Sequence, residues 1–314
     1  MRLPNRSIAA ALGVFAALAL LPAVPAVAQQ TRLDRGASYD PRGDSPARQI
    51  EAPWWWDDAW WTEGRLPAPA AHPVESRELT YRSGDEEVAA LLLRPKGEAK
   101  YPPVLFVHGR RGLDDVNRAH ARRLAAQGFV VLAPDLFQLR FIPAMPIEHD
   151  YALEADTAAG LDVLLARPDI SAARACVYAI SRGGYYALKA AVTHRRQENA
   201  IACYVGYYPH LQDPNAPEPM QVYRFAPEAE NLAVPAFFLL GDQEQYQRRR
   251  NIEMAAEAMR AKGRDVTVAL YPGVGRGFDF RERHVRTFAD DLAARDAIHR
   301  ASAFMRRHMA PFAK

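Results

Sequence analysis

A chain of 314 residues with 49% hydrophobic and 25% charged content can bury a full core, which excludes a disordered chain, a fibre and a small disulfide scaffold. Its 40 Lys and Arg exceed its 37 Asp and Glu by three, and two of that excess, Arg2 and Arg6, lie in a segment expected to be removed. The nearly neutral remainder gives no reason to expect a nucleic-acid partner.

Residues 1–28 carry Arg2 and Arg6, an apolar run from Ile8 to Leu21, and Ala26-Val27-Ala28 before Gln29-Gln30. That order is the pattern of a secretory signal peptide. The apolar run is shorter than the ~20 residues of a bilayer span and breaks at Pro22 and Pro25, so no membrane span is expected after cleavage. The mature chain is therefore placed outside the cytoplasm, in the periplasm or secreted. Residues 29–74 form a polar arm rich in Pro, Ala and Arg that holds all five tryptophans, Trp54, Trp55, Trp56, Trp60 and Trp61. Such a cluster is expected to bury its rings against the main domain, or else to offer an aromatic platform to a ligand or partner.

From residue 75 to 314 short apolar runs alternate with amphipathic stretches, the pattern of an α/β domain with a mainly parallel sheet flanked by helices. Arg77 to Arg82 and Val88 to Arg94 flank Ser83-Gly84-Asp85 and predict an antiparallel hairpin. Further strands are predicted at Val104 to Val107, Val130 to Ala133, Cys176 to Ile180, Ile201 to Gly206, Ala236 to Leu240 and Val266 to Tyr271. Helices are expected over Asp114 to Gln127, Arg248 to Lys262 and Asp290 to His308, the first two stopped by Gly128 and Gly263. Cys176 and Cys203 lie in two of the strands, and their apolar surroundings suggest buried free thiols.

The segment Val177-Tyr178-Ala179-Ile180-Ser181-Arg182-Gly183-Gly184 runs from a buried strand straight into the predicted helix Tyr185 to Thr193. A serine at such a junction occupies a nucleophile elbow, where the positions two before and two after must be small, here Ala179 and Gly183. The elbow aims the following helix at the substrate, so the Arg182 N–H supplies one half of an oxyanion hole.

At this point the chain resembles the dienelactone hydrolase family of the α/β-hydrolase superfamily over almost all of residues 77–310. The resemblance rests on Val107-His108-Gly109-Arg110-Arg111-Gly112-Leu113-Asp114, Ala133-Pro134-Asp135-Leu136-Phe137, the elbow, Gly241-Asp242-Gln243-Glu244 and Tyr271-Pro272-Gly273-Val274-Gly275-Arg276-Gly277-Phe278. It implies the α/β-hydrolase fold, hydrolysis of a small-molecule ester or lactone, no metal or organic cofactor, and a nucleophile, acid and histidine acting together. Ser181 would be the nucleophile, with the Gly109 and Arg110 turn completing the oxyanion hole. The acid would be Glu244, with Asp242 as second choice.

The pattern breaks at the base, because family members carry histidine where this chain has Arg276. A guanidinium has five donors and no acceptor, so it cannot take the Ser181 proton. His284, His210 and His108 are the histidines positioned to substitute, and the remaining possibility is no base at all. Arg110, Arg111, Arg182 and Arg276 all fall at one edge of the sheet, which favours an anionic substrate, with Arg276, Arg111 and His210 as binding residues. The contrasting expectation is that Arg276 simply pairs with Glu244. Arg248-Arg249-Arg250 reads as a solvated first helical turn. A hydrolase that uses Ser181 is one reading, and a catalytically impaired scaffold that binds an anionic ligand or a partner is the other.

Overall fold

The computed structural model describes residues 71–281 and 285–310. The leader, the tryptophan cluster and His284 lie outside the described residues. The predicted hairpin forms from β1 (Val74–Ser83) and β2 (Glu86–Pro95), which turn at Gly84 with φ of 61°. The antiparallel ladder carries both strands further than the sequence pattern indicates. β3 (Pro103–Val107), β4 (Val130–Asp135), β5 (Ala175–Ile180), β6 (Ile201–Tyr207), β7 (Ala236–Gly241) and β8 (Val266–Tyr271) follow. The eight strands lie in the order β1-β2-β4-β3-β5-β6-β7-β8, antiparallel at the two β2 pairings and parallel from β4 onward. This is the α/β-hydrolase arrangement.

Burial explains why the central strands read as unbroken apolar runs. Every residue of β3, β5, β6 and β7 is buried, because helices cover both faces of a parallel sheet. Strand β1 stands at one edge and is largely exposed.

The helices are α1 (Asp115–Ala126), α2 (Ala152–Leu165), α3 (Gly183–Val192), α4 (Glu218–Tyr223), α5 (Pro227–Asn231), α6 (Tyr246–Ala261) and α7 (Phe288–Met309). Asp114 lies just outside α1 and caps it by accepting from the Asn117 N–H, a stronger role than first-turn charge. Helix α7 starts earlier than its apolar pattern because Thr287 and Asp290 form a capping box. No described helix is long and apolar enough to cross a membrane.

The expectation of free thiols is corrected. Cys176 of β5 and Cys203 of β6 stand side by side in the parallel register, with Cα atoms 4.6 Å apart, and are joined as a disulfide. Neighbouring strands place directly paired residues on the same face, which brings the two sulfurs together.

Candidate active site

The residues that carry chemistry follow the carboxyl ends of β3, β5, β6, β7 and β8, where open α/β sheets gather their ligands. Ser181 sits between β5 and α3 with φ of 57°, a left-handed backbone that a non-glycine residue adopts only when its surroundings impose it. They do so through three bonds. The Ser181 N–H donates to Tyr207 O at 3.0 Å, and its carbonyl accepts from Gly184 N at 3.0 Å and His210 N at 2.8 Å.

The small residues are required by close approach. A Cβ on Gly183 would lie 2.3 Å from the Val107 carbonyl oxygen, so only glycine lets the start of α3 press against the end of β3. A Cβ on Gly109 would lie 2.9 Å from Ser181 Cβ and 3.3 Å from its Oγ. The turn after β3 thus runs alongside the serine hydroxyl.

Arg276, in the loop after β8, lies between Ser181 and Glu244. Its Nη2 donates to Ser181 Oγ at 2.7 Å and its Nη1 to Glu244 Oε2 at 3.1 Å. The Glu244 side chain is fully buried, and its second oxygen accepts from Gln245 N at 2.9 Å. The Tyr208 ring lies against the guanidinium, 4.9 Å from ring centre to Cζ, and fixes its plane by a cation–π contact. The sequence-derived pairing of Arg276 with Glu244 is therefore formed, and it extends to Ser181. Asp242 serves elsewhere, accepting from Gly273 N at 2.9 Å and holding the loop that carries Arg276.

The histidines separate by their ring nitrogens. His108 is fully buried, and its Nε2 accepts from Leu136 N at 3.0 Å. Its Nδ1 therefore carries the proton and donates to Gly109 O at 2.8 Å, which commits both nitrogens to the fold. His210 is buried, and its Nδ1 has no hydrogen-bond partner among the described residues. Burial first, then the charges of Arg276, Arg248, Arg182 and Arg110, hold its pKa well below the usual imidazole range, so it stands as a neutral ring at pH 7.

The arginines divide in the same way. Arg111 turns outward to Asp114 at 2.6 Å and does not join the group around Ser181. Arg110 donates to the carbonyls of Pro146 and Met145 at 2.8 and 2.9 Å. Arg182 donates to those of Pro146, Ile147 and Glu148 at 3.1, 2.9 and 2.8 Å. Arg248 departs from the expected solvated turn. It is half-buried, its Nη1 is a buried donor with no partner among the described residues, and desolvation followed by the charges of Arg276 and Arg182 lowers its pKa to about 10.

Of Arg110, Arg182, Arg248 and Arg276, Arg276 alone has a carboxylate partner among the described residues. The group carries an uncompensated positive charge that suits an anion. Sequence reasoning missed Arg248 and Tyr208. Arg248 lies in the first turn of α6, which opens two residues after Glu244, and that nearness in the chain was the available signal.

Comparison with known proteins agrees with the fold. Residues 88–309 match the model of the dienelactone hydrolase family. A protein of Bradyrhizobium sp. named "Probable 2-oxo-3-(5-oxofuran-2-ylidene)propanoate lactonase" is 25% identical over 234 residues, which cover 71% of this chain and 91% of that protein. A chlorophyllase type 0 from Chenopodium album is 35% identical over 71 residues, so the match spans 23% of this chain and about a fifth of that protein's length (19%). Among solved structures, a dienelactone hydrolase-like promiscuous phosphotriesterase from metagenomic libraries superposes with a TM-score of 0.59 at 17% identity, covering 76% of this chain and 99% of that one. That likeness carries the fold alone.

Proposed function

The chain belongs to the dienelactone hydrolase family, and from that premise we propose that it is an exported ester or lactone hydrolase whose nucleophile is Ser181. The observation that carries this reading is the left-handed Ser181 at the strand-to-helix turn, with Gly109 against its hydroxyl. In the proposed reaction Ser181 Oγ bonds to the acyl carbon, and the Ser181 proton passes to a base and then to the departing oxygen. Water then releases the acid and restores the hydroxyl. The N–H groups of Arg182 and of the Gly109 and Arg110 turn take the negative charge that develops on the carbonyl oxygen.

Arg276 donates to Oγ and so stabilises an alkoxide there, and Glu244 orients the guanidinium. Because a guanidinium accepts no proton, the base is assigned to an imidazole. His284 follows Arg276 by eight residues, a tether of about 26 Å at ~3.3 Å per residue. The neutral His210 ring is the alternative. Arg248, Arg276 and His210 favour a substrate that carries an anionic group, in keeping with the propanoate in the name of the Bradyrhizobium relative. Export is supported by the leader pattern and by the Cys176–Cys203 disulfide, which an oxidising compartment sustains.

One observation favours a second reading. The position between Ser181 and Glu244 is filled by a permanently charged side chain, so the same pocket could serve only to bind an anion. Labelling with a fluorophosphonate probe separates the two. Labelling of the folded protein that disappears in Ser181→Ala supports the hydrolase, and Arg276→His is expected to raise ester turnover about 10²-fold or more by supplying a general base. A folded protein that does not label assigns the pocket to binding.

A further inference from the structure

Around Ser181 the described residues gather more positive charge than they neutralise. Arg110, Arg182, Arg248 and Arg276 all act electrostatically on His210, whose main-chain N–H bonds to the Ser181 carbonyl at 2.8 Å. Glu244 is the one carboxylate in contact with any of the four among the described residues, and Arg276 takes it. Arg110 and Arg182 donate instead to main-chain carbonyls, which carry no net charge. Arg110, Arg182 and Arg248 are thus left without a counter-charge in contact among the described residues.

Donors are left over as well as charge. Arg182 is buried, and its Nε has no partner among the described residues; the same holds for the buried Nη1 of Arg248 and for Nδ1 of the buried His210. Buried polar groups in a native protein are ordinarily satisfied, so such a cluster calls for something that completes it. The two helices that open here add to the field. α3 starts two residues after Ser181 and α6 two residues after Glu244, and neither has a side-chain cap or an acidic residue in its first turn. α1 and α7 have both. Each uncapped end adds partial positive charge.

We propose that the pocket beside Ser181 takes a small dianionic group, a phosphate monoester or a pair of carboxylates, held chiefly by Arg248 and Arg182. This rests on the anion reading of the site given above and narrows it. A single negative charge would meet one guanidinium and leave its desolvated neighbours repelling each other, a cost that low-dielectric surroundings raise. A second charge answers a second guanidinium. The open donors on Arg248 and Arg182 suit the oxygens of such a group, as does His210 in the tautomer that carries its proton on Nδ1. Arg276 stays with Ser181 and Glu244.

Isothermal titration at constant ionic strength, with probes that separate charge from shape, tests this. Sulfate and methanesulfonate are both tetrahedral and differ by one charge; malonate and acetate differ in the same way as carboxylates. At least one dianion is expected to bind about tenfold or more tightly than its singly charged counterpart, and which one does so tells a single doubly charged group from paired carboxylates. Arg248→Met should weaken that dianion about tenfold or more. Arg260→Met removes the same charge from the exposed far end of α6 and should change nothing. Circular dichroism confirms that each variant is folded, and the comparison of anions on the unaltered chain needs no variant. Ser181→Ala should keep the same selectivity, so the result does not depend on whether Ser181 is a nucleophile. Fluorophosphonate labelling without dianion selectivity would refute this proposal and leave the hydrolase; selectivity without labelling would do the reverse. The proposal is also overturned if no probe binds, or if Arg260→Met weakens binding as much as Arg248→Met.

Discussion

Removing Arg276 tests the bridge between Ser181 and Glu244 without assuming any reaction. Arg276→Met deletes both donors while keeping an unbranched side chain of similar reach. The Glu244 carboxylate, wholly buried and accepting from Arg276 Nη1 at 3.1 Å, is then left with the Gln245 N–H. Deleting one partner of a buried pair costs about 3–5 kcal/mol. The Arg276 side chain is 23% exposed, so water reaches the vacated position and a lower value, about 2–3 kcal/mol, is expected after screening. Glu244→Gln leaves the guanidinium at the solvent-accessible mouth, still bonded to Ser181, and should cost about 1–2 kcal/mol. The double variant carries no stranded charge, so its loss should fall short of the sum of the two by about 1–2 kcal/mol. Urea unfolding of all four proteins, with unchanged m values, measures this coupling. Losses that add to within about 0.5 kcal/mol would show that the two side chains do not act as a pair.

Two further outcomes follow from buried groups. Burial lowers the pKa values of His108, His120 and His210 below the ordinary imidazole value, so as pH falls through about 6.5 the unfolded chain takes up protons that the native state refuses. Stability is therefore expected to be retained above that pH and to decline below it, by up to about 1.4 kcal/mol per pH unit for each ring; a urea midpoint unchanged between about pH 8 and pH 5 would refute this. The disulfide closes a loop of sequence separation 27, and replacing both cysteines with alanine should cost about 3.5 kcal/mol in the chain-entropy account. Quantitative alkylation of both thiols in the native, unreduced protein would show that the bridge is absent.

The architecture was legible because each central strand is buried on both faces and so appears as an unbroken apolar run, and because Gly183 is forced by contact with the Val107 carbonyl. Glu244 was legible as the leading acid, but Asp242 could be set aside only when its bond to Gly273 was seen. Cysteine pairing was not legible, since it depends on the register between β5 and β6, which neither strand encodes alone. Arg248 was misread for a related reason. A run of three arginines opening a helix looks solvated, yet all three are half-buried, and the packing of α6 brings Arg248 within range of the Arg276 and Arg182 charges.

Arg182 joins two parts of the molecule that are usually separable. Its main chain adjoins Ser181, while its side chain grips three successive carbonyls of the 146–148 loop. The rim is thereby latched to the very residue that follows the hydroxyl, so substitutions that reshape the entrance will be transmitted to the reactive centre. Remodelling one for a new substrate while sparing the other would require the latch itself to be rebuilt.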